Sequence, residues 1–372
     1  MSDLSNGLQQ TVQAAYQSKT PLNIIGGNSK SWYGRTAVGS PLHVSDHSGI
    51  IHYQPSELMI TARAGTPLTE IADTLDEHRQ RLPFDPPHFG EHATIGGTVA
   101  CNFSGPRRPY AGSCRDFMLG CRIINGKGEV MRFGGEVMKN VAGFDVTRLM
   151  AGSLGTLGLL LDISLKVLPH RLAEQTLTLD ADFPAAIEIM NQWAATPLPV
   201  TAMAADGKRI YFRICGTPSA VEKSRQQING DLFEDGWSFW KALREHTLAY
   251  FDDPRPLWRF SVPQAAAHIQ TEAIDEQDWF IGWGGAQRWL RSDLPFDAIQ
   301  KLAHNAGGTA SLFRDKNSDK NRNENSDGSS HGNQEGEVFA PLAPALMQLH
   351  RRVKHAFDPA NILNPGRMYR EL

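Results

Sequence analysis

ATIGGTVACNFSGPRRPYAGSCRDFMLGCRIINGKGEVMRFGG, residues 93–135, holds a glycine pair behind apolar residues and, farther on, a hairpin signal. In RIINGKGEVMRF (122–133) the Asn125-Gly126 pair tolerates the positive φ of a tight tip, and the flanking residues read as two strands. Upstream, LNII (22–25) reads as a strand entering a glycine turn, ELMITARA (57–64) as another strand, and PLTEIADTLDEH (67–78) as a helix whose proline suits the first turn. An amphipathic helix from Leu8 to Tyr16 comes before them and stops ahead of Pro21. Downstream, LLLDISLKVLP (159–169) reads as a buried strand closed by proline. Residues 1–172 are therefore expected to form a mixed α+β domain, not a regular βαβ succession.

Beyond Ala173 glycine thins out and tryptophan rises. AAIEIMNQWAA (185–195), SAVEKSRQQI (219–228) and FWKALREHTLAYF (239–251) read as helices alternating with KRIYFRICG (208–216) and DWFIGWGG (278–285), a second, smaller α/β domain over 173–314. Residues 315–336 contain no hydrophobic side chain, cannot repay the entropy of ordering, and are expected to be a disordered insert. Residues 337–372 resume with a closing helix, LAPALMQLHRRVKHAF (342–357), and a turn-rich end, DPANILNPGRMY (358–369).

Composition removes several function classes. The 372 residues carry 37 Lys+Arg against 40 Asp+Glu, a net charge of −3, which gives no electrostatic footprint for nucleic acid. The longest apolar run, Leu149 to Leu161, is too short and too glycine-rich to span a bilayer, so any membrane association is expected to come through partners. MSDLSNGLQQ has no apolar signal core, which points to a cytoplasmic protein. The four cysteines, Cys101, Cys114, Cys121 and Cys215, form no C-x-x-C and read as reduced, buried thiols.

Three glycine clusters remain: IIGGNSKS (24–31), ATIGGTVACNFSG (93–105) and GSLGTLG (152–158). Each alone suits an ordinary tight turn. The first, at the end of a strand, also suits a backbone cradle for a diphosphate that needs no cationic side chain, with Asn28 and Ser29 adding hydrogen bonds. No Walker loop and no G-x-G-x-x-G opening a helix is found, which disfavours nucleotide hydrolysis and nicotinamide chemistry. HFGEH (88–92) matches a zinc pattern formally, but Pro86-Pro87 and Gly90 oppose the helix that pattern requires.

In order, GGNS, AGTPLTEI (64–71), residues 93–135 and KNVAGFDVTRLMAGSLGTLGLLLDISLKVLP (139–169) resemble the FAD-binding domain of the vanillyl-alcohol oxidase and p-cresol methylhydroxylase (PCMH-type) family. DDPRPLWRFSVP (252–263), IGWGGAQRWL (281–290) and FDPANILNPGRMY (357–369) extend the likeness to the E-subunit family of bacterial glycolate oxidases. The resemblance implies a PCMH-type domain of two α+β subdomains, a cap domain, and a C-terminal segment returning to the flavin. It assigns Gly26, Gly27, Asn28 and Ser29 to the first diphosphate loop and Gly96, Gly97 and Thr98 to the second, both meeting FAD through backbone amides. Ser104, Tyr110, Gly112, Ser113 and Asp116 match the stretch passing the flavin and ribityl chain, and Gly155, Gly158 and Ile163 the segment near ribityl and adenine. Asn364 and Arg367 match the return toward the isoalloxazine edge, where a cation favours reduced flavin.

Two departures shape the functional expectation. Asn28 and Ser29 stand where covalent relatives present a histidine, so FAD is expected to be noncovalent. The H-G-x-x-G-x-x-H segment of the catalytic 2-hydroxy-acid dehydrogenases has no counterpart after residue 173, and no general base is visible. Arg259, Arg288 and Arg367 are the candidates to meet substrate or flavin, with packing or interface roles the alternative for the first two. The expectation is an FAD-binding subunit of a glycolate oxidase type complex, oxidising glycolate or a similar short 2-hydroxy acid. It would work beside a second FAD-binding dehydrogenase subunit and an iron–sulfur subunit. A self-sufficient flavin oxidase and a flavin-free structural subunit are the rivals.

Overall fold

The run LLLDISLK becomes the central strand, Leu159–Lys166, of a five-stranded antiparallel sheet. A strand with neighbours on both sides must bury nearly all its side chains, and here only Asp162 and Lys166 stay partly exposed. Its neighbours are Met59–Arg63, followed by Ile50–Gln54, and Met118–Ile124, followed by Val130–Gly134. The last two form the expected hairpin. Its tip differs from the expected one: the positive φ falls on Gly128 (+78°), not on Asn125-Gly126. Asn125 Oδ1 accepts the amides of Lys127 (2.9 Å) and Glu129 (3.0 Å), which stabilises a longer loop than a two-residue turn.

This computed structural model describes residues 2–135, 146–315 and 336–372. The insert expected over 315–336 lies outside the described residues except at its two ends. The chain divides into two compact units: Met1–Phe103 with Ser113–Pro169 and Asn317–Leu372, and Ser104–Gly112 with His170–Lys316.

In the first unit a parallel pair, Leu22–Ile25 and Ser40–His43, is extended by the chain's end, because Leu22 bridges Leu363 in parallel. The amphipathic helix Ser5–Ser18 packs Leu8, Val12 and Ala15 on Leu22, Leu42, Leu159, Leu161, Ile362 and Leu363. The helix Leu68–Glu77 buries Leu68, Ile71 and Leu75 along one stripe, with Pro67 just ahead of it. A short helix that the sequence reading missed, Ile95–Cys101, carries the second glycine pair. Thr94 caps it, its Oγ1 accepting from Gly97 N at 3.2 Å, and Asn102 ends it at φ +51°.

The second unit is one eight-stranded sheet whose paired strands all run antiparallel. Helices Phe183–Ala194, Pro218–Ile228 and Phe296–Asn305 bury Phe183, Met190, Val221, Ile228 and Ile299 in one core with Phe212, Phe260 and Trp279. The helix expected over 239–251 is instead Gly236–Glu245. His246 takes a left-handed φ of +54° and turns its ring onto Phe251, 4.0 Å between centroids, which stops the helix.

Candidate functional site

The strand Leu22–Ile25 delivers the chain into Gly26–Ser29 at the wall of a cleft in the first unit. Gly27 must be glycine: a Cβ there would stand 1.5 Å from the His92 carbonyl oxygen, so two backbones touch. Asn28 follows at φ +59°. Among the described residues, the amides of Gly26, Gly27, Asn28 and Ser29 donate to no acceptor. Four successive open amides beside a left-handed residue make a concavity suited to an anion.

The cleft is completed by Asn23, Lys30, Ser31, Thr94, Gly97, Cys101, Leu154, Asn364 and Arg367, among others. The expectation of a cradle without cations is thus corrected: Lys30, two residues beyond Asn28, and Arg367 both line it. Lys30 stands in IIGGNSKS, but nothing local in the sequence fixes whether a lysine just past a glycine turn faces the cleft or solvent. Cys101 is likewise a correction. It is partly exposed at the cleft, while Cys114, Cys121 and Cys215 are buried.

The second glycine pair contributes differently from the first. Gly96 N donates to Ala64 O (2.8 Å), Gly97 N to Thr94 Oγ1 (3.2 Å) and Thr98 N to Thr94 O (3.1 Å), so these amides already have acceptors. Gly97 lines the cleft, whereas a Cβ on Gly96 would come within 2.7 Å of Ala64. Thr98 is fully buried, and its Oγ1 has no hydrogen-bond partner among the described residues.

Asn364 is a clamp. Its Oδ1 accepts from Ile24 N at 2.7 Å and its Nδ2 donates to Leu154 O at 2.7 Å, tying the first glycine loop to the third cluster. Gly155, at φ +74°, lies against it, since a Cβ there would meet Asn364 Nδ2 at 2.7 Å. Arg367 Nη2 donates to Ser31 O (2.7 Å) and Tyr33 O (2.8 Å). Burial pushes the Arg367 pKa down.

Other expected residues sit elsewhere. Ile163 is a core residue of the central strand, and Gly158 packs against Ile123. Ser113 and Asp116 cap a short turn reciprocally. Burial works to raise the Asp116 pKa, but hydrogen bonds from Ser113 N and Oγ, with Arg115 and Arg148 nearby, hold it below the usual range. Ser104, Tyr110 and Gly112 group with the second unit. Burial pushes the Tyr110 hydroxyl pKa up.

In that unit Arg288 is fully buried with its guanidinium on backbone carbonyls: Gly285 O (3.2 Å), Ala267 O (2.6 Å) and Ala266 O. Desolvation lowers its pKa to about 10. Arg259 lies over the Phe313 ring, 5.5 Å from its centroid. Sequence reasoning missed a partly buried cluster that joins Arg107 to the strands Ala173–Asp180 and Arg209–Gly216. In it the Arg107 guanidinium and the Cys215 thiol donate to one oxygen of Glu174, at 2.8 and 2.9 Å. Burial works against the Glu174 carboxylate, yet Arg213, Cys215 and Arg107 keep it below the usual range. No local motif marks this cluster, since its members are scattered over more than 100 positions, Arg107 and Cys215 being 108 apart.

A family described as the FAD binding domain matches residues 5–134, and one described as FAD linked oxidases, C-terminal domain, matches 335–368. The glycolate oxidase subunit GlcE of Escherichia coli is 43% identical over 370 residues, covering 100% of this chain and 99% of that protein. The glycolate oxidase subunit GlcD of Bacillus subtilis is 25% identical over 386 residues, covering 86% of this chain and 77% of its own. Among solved structures, p-cresol methylhydroxylase superposes with a TM-score of 0.71 at 14% identity over 99% of this chain and 87% of that one. That likeness shows the PCMH-type fold, and the open amide loop lies within the residues matched by the FAD binding domain. The chain belongs to the FAD-linked oxidoreductases, in the family of the glycolate oxidase subunit GlcE.

Proposed function

We propose that this chain is the FAD-binding subunit of a glycolate oxidase type complex, oxidising glycolate or a similar short 2-hydroxy acid together with a second flavoprotein subunit and an iron–sulfur subunit. The observation that carries the reading is the cleft: four open amides at Gly26–Ser29 with two cations and no acidic side chain, a set that fits a dinucleotide's diphosphate. The chemistry supplied by bound FAD is acceptance of hydride from a CH–OH carbon and release of electrons singly.

The chain's own residues do the holding. Asn364 fixes the two loops, Gly27 lets the backbone close on residues 92–94, and Asn28 and Ser29 take noncovalent contacts in place of a covalent anchor. The second unit favours an electron-relay role over direct dehydrogenation. Of its histidines, His246 and His268 are stacked on Phe251 and Phe183, His170 and His304 are exposed, and none belongs to an H-G-x-x-G-x-x-H segment.

The test is to purify the chain alone and with its partner subunits, release flavin by acid, and add glycolate anaerobically. FAD is expected in the supernatant, with bleaching by glycolate only when the second flavoprotein subunit is present. Rapid bleaching of the isolated chain would replace relay by direct oxidation, and a colourless chain that FAD cannot reconstitute would overturn the reading.

A further inference from the structure

The cleft has a charge of its own apart from its amides. Lys30 and Arg367 line it, and none of its lining residues is an aspartate or glutamate. Lys30 is 6% exposed, with Nζ held 2.9 Å from His88 O and 3.1 Å from Ser29 Oγ. Arg367 uses Nη2 alone, on Ser31 O and Tyr33 O, while Nη1 and Nε have no acceptor among the described residues. Carbonyl oxygens thus pin both side chains beside the open amides without neutralising the Arg367 charge. Burying cations costs free energy that an entering anion offsets, and side chains already fixed in place lose little entropy when it arrives.

The contacts of Arg367 are with the loop that carries Lys30, residues 31 and 33. That ties it to the segment continuing from the amide concavity, and so to the phosphate end of a flavin nucleotide. The resemblance puts Arg367 toward the isoalloxazine edge, where its charge would favour reduced flavin, but its side-chain hydrogen bonds run to the loop that continues from the open amides, and its charge is assigned here to the phosphates instead. We infer that Lys30 and Arg367 are the side chains that hold the cofactor's phosphate charge, so that the cleft selects FAD, and to a lesser degree FMN, over riboflavin. The inference rests on the FAD reading above and assigns to it two residues that act through charge.

The experiment uses the full-length apo-chain and measures affinity for FAD, FMN, riboflavin and ADP in the wild type, Lys30→Gln, Arg367→Gln and Arg367→Lys. FAD and ADP are expected to bind roughly ten- to a hundredfold more weakly to either Gln variant, a loss typical of a charge-assisted hydrogen bond. Arg367→Lys, which keeps the charge, should recover part of that loss. Riboflavin affinity should not move, which also reports an intact fold. A second readout is alkylation of Cys101, the one partly exposed thiol of the four. ADP should protect it in the wild type and fail to do so in the Gln variants at the same concentration.

Equal weakening of riboflavin and FAD would place the cations on the ring or in the fold and overturn the inference, as would unchanged FAD affinity in both Gln variants. The two readings fail separately. A wild type that binds ADP as tightly as FAD, with both lost in the Gln variants, would sink the flavin reading and keep the cation site.

Discussion

A glycine can be required for what it lets in or for what it lets past, and the cleft holds both kinds. Gly27 and Gly96 are packing glycines: added Cβ atoms would stand 1.5 Å from His92 O and 2.7 Å from Ala64 O, both backbone atoms unable to swing aside. Gly97 meets only the Thr94 hydroxyl, at 3.3 Å, and sits in a helix where alanine is intrinsically favoured over glycine. Gly27→Ala and Gly96→Ala are therefore expected to cost about 2–4 kcal/mol in urea unfolding, with flavin lost in parallel. Gly97→Ala is expected to keep its stability within about 1 kcal/mol and to lose flavin affinity only, a separation that equilibrium dialysis of the folded variant can check. The loops themselves were legible in the sequence because few residues but glycine permit such approaches. The difference between Gly27 and Gly97 was not, since it depends on His92 arriving beside Gly27 from 65 positions away, while Gly97 meets only the cap of its own helix.

At the scale of elements, apolar period and turn chemistry located most strands and helices, and errors came where a tertiary contact overrode them. The helix ending at Glu245 stops for a ring stack with Phe251, which no local signal announces. The segment carrying His268 makes the same point and gives a pH prediction. Arg288 grips the carbonyls of Ala266 and Ala267, and His268 stacks on Phe183 at 4.7 Å with Trp279 edge-on at 5.8 Å. Burial, reinforced by the Arg288 charge, lowers its pKa from 6.5 to about 4. The unfolded chain therefore binds a proton that the folded one refuses between those values, so the stability contributed by neutral His268 is full above pH 6.5 and drains as pH falls toward 4. His268→Phe keeps the stack and removes the titration. Its unfolding midpoint, followed by tryptophan emission, should fall less than that of the wild type across this window, and parallel curves would show that His268 does not couple to folding.

At the scale of the whole molecule, the chain's last 30 residues return to close the first unit through a buried polar hub. Lys354 is the one buried residue of the helix Pro344–Phe357; its Nζ donates to Thr156 O (2.8 Å), Asp358 Oδ2 (2.7 Å) and Leu363 O (2.8 Å). Asp358 in turn accepts the amides of Ile362 (3.1 Å) and Leu363 (2.7 Å), setting the segment that pairs with Leu22. The sequence showed a helix and an NPGR turn there. It could not show that a lysine on the helix is the buried residue, because acceptors from the distant Thr156 and from the turn 358–363 must converge to make that tolerable. Lys354→Met would leave the Asp358 carboxylate, at 0% side-chain exposure, buried without its counter-charge, at a cost of about 3–5 kcal/mol. The two units carry separate reporters, since of the eight tryptophans only Trp32 lies in the first, and the proposed flavin binds there too. In urea, Lys354→Met should therefore release flavin at a lower midpoint while the transition seen by tryptophan emission stays near that of the wild type. Adding Asp358→Asn to Lys354→Met removes the stranded charge and should bring the flavin midpoint part of the way back; a double variant no better than the single one would mean that the lost hydrogen bonds, and not the unpaired carboxylate, set the cost.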